Sequence, residues 1–203
     1  MRRWLLVSAA LAAVAFAHPA SATVPTCATL DMTVSAQLSS DPGFEGLYKY
    51  TVTGCWDVSQ FGLSHIDFFL QLKDLECICD SRVIKFPTPG GTSDGTSDAG
   101  PCIVTYTGKY NCMGDPTVPA ELKAPTVKFD TDDGACVGAV TGCGTWVFYS
   151  PFHPGPYSED PEGAAIKHGQ GVCVGTLKGT MPLGDCATPA STKSWGNVKA
   201  LYR

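Results

Sequence analysis

Residues 61–72 read FGLSHIDFFLQL, and how that stretch is read decides the fold. In an extended strand successive side chains point to opposite sides. Ile66, Phe68, Leu70 and Leu72 then share one face, while His65, Asp67, Phe69 and Gln71 share the other. Such alternation predicts a strand with one face in a core and one polar face outward. Gly62 supplies a turn before it, and Cys77 and Cys79 follow.

Working outward, the same period returns. Leu30, Met32, Val34, Ala36 and Leu38 alternate with Asp31, Thr33, Ser35 and Gln37, and Tyr48, Tyr50 and Val52 alternate with Lys49, Thr51 and Thr53. Short strands are expected at 82–86, 126–129 and 144–150, with a last pair, 164–168 and 172–177, about Gly169. Residues 102–112 read as a hairpin turning near Gly108, and 151–163 as an irregular loop. Residues 91–100, GTSDGTSDAG, read as an exposed, mobile loop, because no residue there is larger than Ala99 among the apolar ones. After residue 22 no 3.6-period run reaches the ~10 residues of an ordinary helix. The expected fold is an all-β, disulfide-rich antiparallel β-sandwich, Ig-like or jelly-roll-like, of about eight to ten strands.

Met1-Arg2-Arg3, an apolar run over 4–16 and Ala20-Ser21-Ala22 have the form of a secretory signal peptide, cleaved after Ala22. The apolar run is shorter than the ~20 residues of a spanning helix. The expected organisation is a signal peptide at 1–22, one domain at 23–186 and a loosely packed tail at 187–203. Ten cysteines, at 27, 55, 77, 79, 102, 112, 136, 143, 173 and 186, all follow the signal. An even count in an exported chain reads as a disulfide framework. Spacing suggests Cys102–Cys112, Cys136–Cys143 and Cys173–Cys186, leaving Cys27, Cys55, Cys77 and Cys79 to pair among themselves. A secreted or periplasmic location follows. The net charge is −5 and no Lys/Arg run is present, so nucleic acid and anionic membrane are not expected partners.

Chemistry is sparse. His65 and Asp67 share a strand face as an H-x-D pair, which reads as ordinary outer-face polarity. No G-x-S-x-G, H-E-x-x-H or phosphate-cradling glycine loop occurs, so no catalytic residue and no bound cofactor is assigned. Asp130, Asp132 and Asp133 before Gly134 form half of a calcium-loop pattern and are the candidate metal ligands. Tyr149, Phe152 and Tyr157 are the candidate ligand-binding cluster, expected exposed.

The segments GLSH (62–65), VKFD (127–130), GTWVFYSPFHP (144–154) and KHGQGVCVGTLKG (167–179) resemble an uncharacterised bacterial secreted β-rich domain type. Some members of that type carry a C-terminal sorting anchor, which this chain's ending, KALYR, does not match. The resemblance implies no catalytic residues. The expected function is a secreted, non-catalytic extracellular or envelope module for adhesion, matrix or glycan binding, with an extracellular glycan or protein as partner. Two alternatives stand beside it. One is a small secreted hydrolase of polysaccharide or ester using Glu159 or Asp160 with a histidine; the other is a secreted inhibitor or effector acting on a protein.

Overall fold

A computed structural model describes residues 24–70, 84–119, 122, 125–132 and 134–183, without the side chains of 158–161. The signal segment, Cys77, Cys79, Asp133, Cys186 and the tail lie outside the described residues, as do the side chains of Glu159 and Asp160. Ten strands follow in chain order: β1 Thr26–Leu38, β2 Tyr48–Asp57, β3 Leu63–Phe69, β4 Gly91–Ser97, β5 Gly100–Asn111, β6 Thr126–Thr131, β7 Val137–Gly138, β8 Thr141–Ser150, β9 Pro154–His168 and β10 Gly171–Pro182.

The expected sandwich is not what these strands build. They follow the order β5-β6-β3-β9-β10-β1-β2-β8-β4, and β4 pairs back onto β5, closing a nine-stranded barrel to which the short β7 adds at β4. A ring with an odd number of strands must contain a parallel neighbour pair. Here it is β1 with β10, where the two ends of the barrel sequence meet; the other neighbours run antiparallel.

Strand β4 is what the sequence hid. Gly91, Ser93 and Gly95 point inward and are buried, while Thr92, Asp94 and Thr96 are exposed. The tandem GTSD is therefore a strand whose inner face is deliberately small, because Trp146 and Tyr106 fill the space. A Cβ on Gly91 would lie 2.5 Å from the Trp146 ring, and one on Gly144 would lie 2.6 Å from it. Ser93 Oγ meets the Tyr106 hydroxyl at 2.7 Å. Around Trp146 the rings of Trp56, Phe68 and Tyr106 pack at 6.1, 5.7 and 5.7 Å between centroids. Full burial of each such side chain is worth roughly 1.5–3 kcal/mol. The interior is a packed core of side chains.

Two further expectations change in the same way. Residues 100–111 run straight through Gly108 as one strand, since Gly108 lets the Phe86 ring lie where a Cβ would stand, 2.0 Å away. Residues 154–168 are a single long strand instead of a loop, hydrogen-bonded to β10 along much of their length.

The disulfides join distant segments, so the short staples expected from spacing are corrected. Cys27–Cys173 crosses the parallel β1–β10 seam, Cys55–Cys143 joins directly opposed residues of β2 and β8, and Cys102–Cys136 ties β5 to the segment before β7. Cys112 is also disulfide-bonded, which leaves no Cys102–Cys112 staple. Spacing along the chain fails as a guide because strand neighbours in a closed barrel come from far apart in sequence.

On β1 and β2 the outward positions Asp31, Thr33, Ser35 and Thr53 are exposed, and Thr51 is half-buried. These two strands set a polar outer face against an apolar inner one. No helix among the described residues is long and apolar enough to cross a membrane.

Candidate functional site

The outer wall formed by β6, β3 and β9 differs from the rest. Residues 65–69 of β3 and 126–129 of β6 are buried on both faces. Their inner face carries Ile66, Phe68, Val127 and Phe129 in the main core. Their outer face lies beneath residues 112–119 and Leu122, which cross the wall as a strap. Val118 and Leu122 of the strap pack with Phe69, Ala165 and Val174 in a second, smaller apolar cluster. Strand register places His65 opposite Asp130 and Asp67 opposite Lys128. Two X-x-Asp pairs, His65/Asp67 and Lys128/Asp130, are thereby set side by side.

The strap adds Asp115 and Thr117. Asp115 opens a tight turn in which its Oδ1 accepts from the Thr117 N–H at 2.8 Å and from the Thr117 hydroxyl at 2.9 Å. That leaves Oδ2 facing the wall, where Lys128 Nζ stands 2.8 Å away. Lys128 Nζ also lies 3.1 Å from Asp130 Oδ1. His65 Nε2 looks into the same space, 3.3 Å from Thr117 Oγ1, 3.4 Å from Asp115 Oδ2 and 3.6 Å from Asp67 Oδ2. Its other nitrogen, Nδ1, lies 3.8 Å from Asp130 Oδ1.

Asp67 is the unusual member. It is fully buried, and neither carboxylate oxygen accepts a hydrogen bond. Burial, reinforced by the charge of Asp115, pushes its pKa up to about 8, against the opposing effect of Lys128. Burial also drives His65 down to about 4, with the positive charge of Lys128 acting in the same direction. Both shifts favour the uncharged form near neutral pH, whereas Asp115 is held down and Lys128 held up by their mutual hydrogen bond, which favours their charged forms. Among the described residues, His65, Asp67 and Asp115 are the one group of three or more side chains able to share a metal ion, their ligand atoms lying within 4.8 Å of one another.

Comparison with protein-family models, curated proteins and solved structures found no match.

The residues singled out from sequence are dispersed. Asp130 turns toward His65 and Lys128, whereas Asp132 accepts hydrogen bonds from the Thr105 and Thr107 hydroxyls. The two therefore face different partners, and Asp133 lies outside the described residues. The expected exposed aromatic cluster is not formed. Tyr149 is buried, stacks on Phe44 at 3.9 Å and donates to Asp41 at 2.6 Å. Tyr157 is buried and donates to the Phe69 carbonyl at 3.1 Å, while Phe152 is half-buried against the main core. The outward polarity expected of His65 and Asp67 is also corrected, since the strap covers that face. His153 lies 2.7 Å from the Tyr48 hydroxyl, and His168 sits 2.9 Å from the Gln60 carbonyl. Lys128, Asp115 and Thr117 had escaped the sequence reading. The signals for them were the two X-x-Asp pairs and the Asp-Pro-Thr turn at 115–117.

At one end of the barrel the chain presents apolar groups to water. Residues 58–63 run beside 139–140, through hydrogen bonds from Val58 N–H to Val140 O and from Leu63 N–H to Ala139 O. Phe61 is 66% exposed there, with Val137 and Val140 also exposed. Ser59 and Phe61 both adopt the left-handed backbone region, at φ 63° and 59°. Next to them a depression of about 230 Å³ is lined by Gly62, Leu63, Ser64, Thr131, Asp132 and the residues around Val137.

Proposed function

We propose that the chain is an exported, non-catalytic binding module of the secreted bacterial type its segments resemble, and that it engages an extracellular glycan. The observation that carries this reading is Phe61, a large ring kept in solvent on a backbone conformation that costs a non-glycine residue of order 1–3 kcal/mol. Strain of that kind persists where it serves a site. An exposed aromatic face suits the stacking of a sugar ring, and the chain runs from Phe61 through Gly62 into the lining of a shallow depression where Ser64 and Asp132 offer hydrogen-bonding groups. The packed interior supports the same reading, because a ligand must then be met on the outside. The disulfides accord with a non-cytoplasmic location.

The hydrolase alternative has one feature in its favour, the convergence of His65 with carboxylates. That cluster is sealed by the strap, however, and His65 is only 7% exposed. The test is calorimetric titration with a panel of soluble extracellular polysaccharides, with reducing-end and ester-release assays on the same mixtures. The expected result is binding without product, lost at least tenfold in Phe61→Ala at unchanged melting temperature. Product release would install the hydrolase instead, and a panel without binding would remove the glycan reading.

A further inference from the structure

We propose that His65, Asp67 and Asp115 form a site for a divalent transition-metal ion of the zinc class, which ties the strap at 112–119 to the barrel wall. The proposal is independent of the glycan reading and rests on different residues.

Three features of the cluster converge. The first is spacing. Two ligand atoms bound at about 2.0–2.2 Å to a tetrahedral ion lie ~3.4 Å from each other. His65 Nε2 stands 3.4 Å from Asp115 Oδ2 and 3.6 Å from Asp67 Oδ2. Those separations are too long for good hydrogen bonds and match atoms that share an ion.

The second is the state of Asp67. A buried acid ordinarily finds donors for its oxygens. Asp67 has none for either oxygen, although Lys128 is its register partner across the β3–β6 ladder. Lys128 Nζ reaches past it to Asp115 and Asp130. Trp146 Nε1 and Tyr110 Oη also lack partners, but each is a single neutral group. A carboxylate left open on both oxygens, aimed at an imidazole nitrogen and a second carboxylate, is a different matter.

The third is the surrounding shell. With all three carboxylates ionised, Asp67, Asp115 and Asp130 against Lys128 leave an excess of two negative charges, which one divalent cation cancels. Asp130 lies on the Nδ1 side of the His65 ring, 3.8 Å from that nitrogen and away from the proposed ion, where it adds negative charge. Thr117 holds the other oxygen of Asp115, fixing which one faces the wall. One nitrogen and two oxygens from the chain leave a fourth position for water. A nitrogen ligand with so few oxygens fits zinc-class ions better than calcium, which takes six to eight oxygens.

The test uses the oxidised full chain, freed of metal by chelator and dialysis, then titrated with zinc chloride by calorimetry and with cobalt chloride by visible absorption. One equivalent of zinc is expected, with a rise in melting temperature of several degrees and an intense visible cobalt band typical of a four-coordinate site. Asp67→Asn should weaken zinc binding at least a hundredfold. Asp115→Asn, which leaves β3 intact and changes the strap and its Lys128 pair, should do the same, with far-ultraviolet circular dichroism of both variants showing that the barrel has folded. Asp94→Ala, an exposed position on β4 that hydrogen-bonds Cys143 N–H, should bind as the parent does. Absence of stoichiometric zinc binding overturns the proposal. So does parent-like binding in Asp115→Asn, or equal loss in Asp94→Ala, which would indicate dispersed surface binding only.

Discussion

The two faces of β3 obey different physics within one strand. Inward, Ile66 and Phe68 meet Phe129 and Trp146, and their stability comes from burial and ring packing. Outward, His65 and Asp67 are as deeply covered as their neighbours, yet they meet Asp115, Lys128 and Asp130. Equal burial therefore has opposite consequences. An apolar group gains when water leaves, while a titratable group loses its charge or must be given a partner. The contrast separates a face that specifies the fold from a face kept for a ligand.

The largest effect should come from breaking the inner face. Trp146→Ala removes the ring that aromatic side chains of three other strands pack around and should cost about 3–5 kcal/mol, seen as a lower urea midpoint at unchanged slope. Next, Lys128→Met in the metal-free chain strips Asp115 of its cation under the strap. Because Asp130 is half-open to water, the loss should be smaller, about 2–4 kcal/mol by the same urea assay. A loss as large as that of Trp146→Ala would mean that the outer cluster is as essential to folding as the core.

A pH titration of metal-free stability sharpens the contrast further. Asp67 has a folded pKa raised from 3.8 to about 8, so its contribution is fully present below pH 4 and is lost as pH rises toward 8. His65 has a folded pKa lowered from 6.5 to about 4, so its contribution is present above pH 6.5 and is lost on acidification toward 4. Asp115, Asp130, Lys128 and, for His65, Lys167 face this pair. Between pH 4 and 6.5 the two slopes oppose each other, and stability should be nearly flat. From pH 6.5 to 8 Asp67 acts alone, and stability should fall by about 1–2 kcal/mol. Asp67→Asn should abolish that fall; a fall that persists in the variant would place its origin elsewhere. The smallest effect belongs to Asp94→Ala, which removes an exposed acceptor of the Cys143 N–H and should cost about 1 kcal/mol or less in thermal unfolding.

Where side chains alternated cleanly, the chain was legible on its own. Leu30, Met32 and Val34 are buried, Asp31, Thr33 and Ser35 exposed, and β1 and β2 pair as that pattern requires. The all-β class and the use of cysteines as bridges were legible for the same reason, since periodicity and composition are local properties. His65 and Asp67 were visible as a pair on one face, but their burial was not, because the cover comes from residues 112–119, some fifty positions away.

Barrel against sandwich was decided by the tertiary structure alone. Closure depends on β4, whose inner Gly91, Ser93 and Gly95 look like a loop until Trp146 and Tyr106 are seen to supply the missing volume. Disulfide partners and the cluster around Asp67 follow from the strand order, which brings together residues that no spacing along the chain relates. A sequence carries each residue's own preference for water; which distant side chain fills the space beside it is settled only when the strands close.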